Sequence, residues 1–171
     1  REISRQKFHE PQRTMIGHFR HEIGHFIWMR DVESTPRRAE NNALFGDPLQ
    51  PPYADAMQTY YEQGPPSDWQ ERFISAYAAS HPWEDFAESV GFYLDMRAVL
   101  DTLSWQIPQL ASRLSSELPA MLATYQRAGV ALNEINRTMG LSDLVPEVVP
   151  PRVLAKLQFI HDVITSENSV A

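Results

Sequence analysis

The sequence HEIGH at residues 21–25 constrains this chain more than any other feature. In a helix, His21 and His25 lie one turn apart on the same face, so both imidazoles can reach one divalent metal ion. Glu22 lies beside them, where its carboxylate can take a proton from water activated by the metal. An HExxH pattern with these roles is typical of zinc peptidases. The segment therefore predicts a helix that carries a zinc site.

The residues around the motif also favour a helix. Apolar side chains recur near the helical period and form one face, namely Met15, Ile16, Phe19, Ile23, Phe26 and Ile27. Thr14 is placed to act as the N-cap. Gly24 costs a helix about 1 kcal/mol relative to alanine, but it lets another backbone approach closely. The alternative is a core helix that carries two incidental histidines.

Composition limits the class of protein. A length of 171 residues fits one domain with a real core, and an apolar fraction of 43% argues against disorder. The net charge of −7 makes nucleic acid a poor partner. The chain has no cysteine, which excludes disulfides and thiol catalysis and fits a reducing compartment, so we expect a cytoplasmic location. No apolar run approaches the roughly 20 residues of a membrane helix, and the sequence leaves the oligomeric state open.

The rest of the pattern predicts a mainly α fold. Helices are expected over residues 53–63, from Ser67 through Tyr77, from Pro82 to about residue 103, and over 109–114, 118–139 and 151–164. Residues 1–13 show no strand-like alternation, and the chain does not begin with Met, so we expect a piece of a longer protein whose N-terminal sheet is lacking or vestigial. We predict one domain over 1–171, with a metal-site part at about 14–105 and a helical C-terminal part at about 106–171.

A zinc site needs a third protein ligand besides two histidines. The best candidates lie in the sequence WEDFAE at residues 83–88. Glu84 and Glu88 are spaced i, i+4 on one helical face, so the first can bind metal while the second accepts the ring N–H of a ligand histidine. Asp85, about 100° away around the helix, is a rival ligand, and so is Glu88. Without a metal, these acids would simply stabilise a helix N-terminus.

Together, the HExxH motif and the EDFAE sequence at 84–88 resemble the gluzincin class of zinc peptidases. The E-x-F-A-E form is similar to the catalytic segment of anthrax lethal factor and its relatives. Longer stretches resemble a bacterial family of zinc-binding metallopeptidases, namely residues 17–25, 63–69, 75–85 and 132–137. This resemblance covers most of the chain and implies a zincin-like helical metallopeptidase domain, with an active-site helix and a glutamate helix.

The resemblance also implies roles for individual residues. It implies three ligands for Zn²⁺, namely His21, His25 and Glu84. It implies that Glu22 is the general base and that Glu88 holds a ligand histidine. Tyr77 lies seven residues before Glu84, where lethal-factor-like enzymes carry a tyrosine that stabilises the oxyanion. A core tyrosine is the alternative at that position.

These observations predict a zinc-dependent metallopeptidase. It would hydrolyse peptide bonds in a peptide or protein substrate through a zinc-activated water, with Glu22 as general base. One alternative is a non-catalytic helical interaction domain that is stabilised by the metal, and another is a helical scaffold without metal. The intact Glu22 argues against the interaction domain, because a structural metal site has no use for a base.

Overall fold

The computed structural model describes residues 14–107 and 115–166, and within these ranges the chain is helical and contains no strand. The α-helices are α1 (Met15–Ile27), α2 (Arg37–Phe45), α3 (Tyr53–Gln63), α4 (Trp69–Arg72), α5 (Pro82–Gln106), α6 (Leu118–Thr138) and α7 (Pro151–Ser166). A π-helical turn over Trp28–Val32 continues α1, and a 3₁₀ turn over Tyr77–Ser80 precedes α5. The predicted mainly α fold is confirmed. Residues 1–13 and the helix predicted over 109–114 lie outside the described residues.

Helix α1 forms where the motif predicts it. The hydroxyl of Thr14 accepts a hydrogen bond from the backbone N–H of Gly17 at 3.1 Å, which confirms Thr14 as the N-cap. Most of the apolar face of α1, however, does not lie in the core, although Ile27 at its end is buried. The exposed fraction is 90% for Met15, 65% for Phe19 and 53% for Phe26. The buried side of α1 is the one that carries the histidines.

Gly24 explains which side of α1 is buried. A Cβ atom at this position would lie 2.7 Å from the Cα and 3.0 Å from the carbonyl oxygen of Ala87 in α5. The backbones of α1 and α5 therefore approach each other directly at this glycine, as its place between the histidines predicts. This crossing brings the histidine face of α1 against the first turns of α5.

Helix α5 is buried along its N-terminal half. Six of its side chains there are at most 1% exposed to solvent, namely Asp85, Phe86, Ala87, Ser89, Val90 and Tyr93. The opposite side of this half packs on α7, where the hydroxyl of Tyr93 hydrogen-bonds to Nδ1 of His161 at 2.9 Å. Since apolar and polar contacts surround it, this stretch of α5 is a rigid support for the carboxylates that it carries.

The helix predicted from Ser67 through Tyr77 is wrong in length. Helix α4 ends at Arg72, and Phe73 is extended with φ −130° and ψ 150°. Ser75, after this break, donates to the Glu88 carboxylate at 2.7 Å and accepts from the N–H of Ala78 at 3.1 Å. The contact with a distant glutamate therefore competes with the local helical pattern and overrides it.

The chain divides into two compact units. The first contains Arg1–Tyr93 and Pro150–Ala171, and the second contains Leu94–Val149. The first unit holds α1 to α4, the start of α5 and all of α7, so the last helix belongs with the segments that carry the metal motif. The single domain over 1–171 stays a prediction. Among the described residues, no helix is long and apolar enough to cross a membrane.

Candidate metal centre

Three side chains converge where α1 crosses α5. The two histidines come from successive turns of α1, and the glutamate comes from the first turn of α5. One potential ligand atom from each of His21, His25 and Glu84 lies within 4.8 Å of the other two. Nε2 of His21 is 3.1 Å from Oε2 of Glu84, and Nε2 of His25 is 3.9 Å from Oε1. The fold thus brings together the three residues that the resemblance pairs as ligands.

Glu88 fixes the orientation of the first histidine. Its Oε1 lies 2.7 Å from Nδ1 of His21, and its Oε2 accepts a hydrogen bond from the hydroxyl of Ser75 at 2.7 Å. A carboxylate only accepts, so Nδ1 donates its proton to Glu88, while Nε2 points at Oε2 of Glu84 and is the nitrogen that a metal ion would take. Glu88, the predicted partner of a ligand histidine, is therefore in contact with His21. Sequence reasoning gave Ser75 no role, although this residue opens the stretch 75–85 that carries the family resemblance.

The electrostatics of this cluster fit a cation. Burial raises the pKa of Glu84, but the neighbouring His21, the hydrogen bond from Tyr53 and the nearby His25 outweigh burial and hold that pKa below its ordinary value. The carboxylate is therefore ionised at neutral pH. Its buried Oε2 faces Nε2 of His21 at 3.1 Å. Two nitrogens and an anionic oxygen are a ligand set that Zn²⁺ accepts, with one position left for water or substrate.

Two tyrosines lie against the cluster. The ring centroid of Tyr77 is 6.1 Å from that of His21, and its hydroxyl hydrogen-bonds to that of Tyr53. The hydroxyl of Tyr53 in turn donates to Oε1 of Glu84 at 2.8 Å. Burial raises the pKa of Tyr53 to about 12 and that of Tyr77 still further, so both phenols stay protonated. Sequence reasoning missed Tyr53, since α3 carries no motif.

Glu22 lies apart from the three converging side chains. Its side chain is 55% exposed, and its Oε1 is 3.7 Å from Nε2 of His18 on the outer side of α1. This placement leaves the carboxylate in contact with water, while the histidines on either side of it in the motif point inward. An exposed carboxylate next to buried ligands can exchange protons with solvent and with a substrate.

Asp85, the rival ligand, points elsewhere. Its Oδ2 accepts from Nζ of Lys156 in α7 at 2.6 Å, and the same ammonium group donates to the carbonyl oxygen of Arg72 at 2.8 Å. The carboxylate is therefore engaged on the far side of α5 from the histidines. Burial, opposed by the charge of Lys156, raises the pKa of Asp85 to about 7.

A cavity lies beside this centre. It has a volume of about 540 Å³, and its walls include Tyr60, Phe73 and His81, but none of the three converging side chains. The ring of His81 lies 5.1 Å from that of Tyr53, and its Nε2 contacts the carbonyl oxygen of Pro51 at 3.2 Å.

The comparison with known proteins agrees with the geometry. Residues 1–163 match the profile of a family described as "Putative zinc-binding metallo-peptidase". The chain belongs to this family. Uncharacterized proteins of Mycobacterium bovis and of two strains of Mycobacterium tuberculosis are each 40% identical to it over 172 residues. The match covers 96% of the chain and 50% of each relative, so the chain spans about half the length of these curated relatives. No solved structure gives a significant match.

Proposed function

We propose that this chain is a zinc-dependent peptidase of the gluzincin type, with His21, His25 and Glu84 as the metal ligands. The observation that carries the proposal is the convergence of one ligand atom from each of these residues within 4.8 Å. The contact of Glu88 with the far nitrogen of His21 supports it, because ligand histidines usually donate their other ring N–H to such a partner. The substrate would be a peptide or protein.

In this proposal, the residues around the site have different chemical roles. A zinc ion in this site supplies the Lewis acidity that makes water nucleophilic at neutral pH and polarises a peptide carbonyl. The exposed carboxylate of Glu22 takes the proton of the attacking water and delivers it to the leaving amine. Tyr77 donates its phenolic proton to the oxygen on which negative charge develops. For this donation its hydroxyl has to leave that of Tyr53.

The zinc content of the purified protein tests this proposal directly. We expect about one zinc per chain in the parent and much less in the Glu84→Ala variant, because the site loses one of its three protein ligands. Glu62→Ala, an exposed substitution on α3, is the control and keeps the zinc. A Glu84→Ala variant that binds zinc as tightly as the parent would place the third ligand elsewhere.

Hydrolysis of a mixed peptide library, with and without a chelator, tests the activity. We expect cleavage by the zinc-loaded parent, loss of cleavage after chelation and recovery when zinc is returned. A protein that holds one zinc per chain and cleaves nothing in the library would favour the non-catalytic, metal-stabilised interaction domain.

A further inference from the structure

Tyr53 reaches the candidate metal centre from a helix that carries no ligand. It is the first residue of α3, and its hydroxyl donates to Oε1 of Glu84 at 2.8 Å. The ring packs edge-on against those of His81 and Trp83, with centroids 5.1 and 6.1 Å away. Although the residue is 42% exposed, these contacts fix the direction in which its hydroxyl points.

The two oxygens of the Glu84 carboxylate are in different surroundings. Oε1 accepts the hydrogen bond from Tyr53, whereas Oε2 faces Nε2 of the candidate ligand His21 at 3.1 Å. A carboxylate that binds zinc through both oxygens occupies two positions around the ion. A catalytic zinc site needs one of its positions open for water or substrate.

We propose that Tyr53 is a positioning residue, whose hydrogen bond holds Oε1 of Glu84 so that Oε2 would be the oxygen available to zinc. This inference rests on the proposed function, because it assumes zinc between the two histidines and Glu84. Tyr53 would thereby keep one coordination position of the zinc ion open. Tyr53 contacts a ligand and acts through it, and it carries out no chemical step itself.

Tyr77 supports this arrangement through its hydrogen bond to Tyr53. The single proton of the Tyr53 hydroxyl is used on Glu84, so in the bond between the two phenols Tyr77 is the donor and Tyr53 the acceptor. Tyr77 is packed against Tyr60, with ring centroids 6.0 Å apart. A chain of hydrogen bonds from Tyr77 through Tyr53 to Glu84 polarises each member and strengthens the last bond.

Cobalt substitution of the Tyr53→Phe variant tests the inference. Co²⁺ binds with the same ligands as zinc, and its visible absorption weakens when the coordination number rises above four. We expect Tyr53→Phe to bind one Co²⁺ with weaker visible absorption than the parent, because Oε1 is released to the metal. The dissociation constant should rise about tenfold, because the ligand carboxylate loses the hydrogen bond that orients it. Tyr77→Phe should change both quantities in the same direction by a smaller amount.

Tyr93→Phe is the matched control. It also removes a phenolic hydroxyl with a hydrogen bond, at 2.9 Å to His161, but that hydroxyl lies away from the metal ligands. We expect its Co²⁺ spectrum and affinity to equal those of the parent. If circular dichroism shows that Tyr53→Phe does not fold, the Co²⁺ spectrum and affinity of Tyr77→Phe test the inference instead, because this variant leaves the Tyr53 ring in place.

The outcomes separate the two proposals. If the parent binds no Co²⁺, the proposed function and the role of Tyr53 are both wrong. If the parent binds one Co²⁺ and the folded Tyr53→Phe variant has the same spectrum and affinity, only the role of Tyr53 is wrong. A weaker spectrum in Tyr53→Phe and an unchanged one in Tyr93→Phe would support the inference.

Discussion

At the scale of single residues, the proposed role of Glu22 is what would distinguish a catalytic zinc site from a structural one. Its side chain is 55% exposed, whereas His21 beside it is buried. The carboxylate of Glu22 can therefore reach water and a substrate, and it does not lie on the helix face that carries the candidate ligands. A structural site would gain nothing from an acid at this position. The role of Glu22 can therefore be tested apart from the integrity of the site.

We predict that Glu22→Gln keeps its zinc and loses peptide hydrolysis. The amide cannot take a proton from water, and a general base contributes about 10²- to 10⁴-fold to the rate. The measurement is zinc per chain together with kcat/KM on any peptide that the parent cleaves. Glu40→Gln, an exposed change on α2, should leave both values unaltered. Full hydrolysis by Glu22→Gln would show that the base is another group.

A second residue-scale prediction concerns the buried pair of Asp85 and Lys156. We expect Lys156→Met to lower the free energy of unfolding by about 3–5 kcal/mol, because it leaves a buried carboxylate without its counter-ion. The measurement is urea unfolding at several pH values. The double variant Asp85→Asn/Lys156→Met is the control, and it should recover part of the loss because no buried charge remains.

The pH dependence of that loss follows from the pKa of Asp85. Burial raises this pKa from 3.8 to about 7, and removal of Lys156 raises it further. A carboxyl whose pKa is higher in the folded state than in the unfolded state favours folding below the unfolded pKa and opposes it as the pH rises. Because the unfolded-state pKa is the same in both proteins, the stability deficit of Lys156→Met should be nearly constant below about pH 6 and should grow as the pH rises through about 7 and above. A deficit that does not change with pH would contradict this account.

At the scale of secondary structure, the crossing of α1 and α5 decides whether the ligands meet. The helices approach at Gly24, where a Cβ atom would lie 2.7 Å from the Cα of Ala87. The contact is with the backbone, which cannot turn away as a flexible side chain can. Any side chain at residue 24 has to move one helix relative to the other.

We predict that Gly24→Ala weakens zinc binding, although alanine favours a helix over glycine by about 1 kcal/mol. The displaced α1 would carry His21 and His25 away from Glu84. Gly91→Ala is the matched control, since a Cβ at this position on α5 would lie at an ordinary 3.9 Å from the backbone nitrogen of His21. The measurements are the zinc dissociation constant and the midpoint of thermal unfolding. Equal zinc affinity in the two variants would show that the close approach does not position the ligands.

At the scale of the whole molecule, the candidate metal centre belongs to one of the two compact units. Its three converging residues lie in the unit formed by Arg1–Tyr93 and Pro150–Ala171. In the other unit, the side chain of Asn133 in α6 holds the segment that follows the helix by hydrogen bonds to its backbone. Its amide donates to the carbonyl of Val145 at 2.8 Å, and its oxygen accepts from the N–H groups of Leu144 and Val145 at 2.9 and 3.1 Å.

We predict that Asn133→Ala destabilises the protein without changing the zinc per folded chain. Each buried polar group left without a hydrogen-bond partner lowers the free energy of unfolding by about 1–3 kcal/mol. This change removes the partner of backbone groups of Leu144 and Val145, which lie in the second unit. The measurement is unfolding by urea, with zinc content determined on the folded fraction. Glu134→Ala, an exposed neighbour on α6, should be nearly neutral. A loss of zinc from folded Asn133→Ala would show that the second unit supports the site.

What the sequence could predict about this molecule lies within single helices. The spacing of His21 and His25 on one turn, and of Glu84 and Glu88 on another, follows from the helical period, which is a local property of the backbone. The N-cap at Thr14 is local in the same way. The family resemblance linked the two motifs to each other, and the fold brings the corresponding side chains together.

Other features depended on which surfaces pack, and a helical period does not contain that information. The apolar face of α1 is largely exposed, because the close approach at Gly24 puts the histidine face against α5 instead. Tyr53 lies 31 residues before Glu84, and Ser75 lies 13 residues before Glu88. Such contacts form only when separate segments are folded against each other. The motif by itself determined what chemistry the chain can carry, and the tertiary structure decided which neighbours hold its ligands, because side chains distant in sequence meet only through packing.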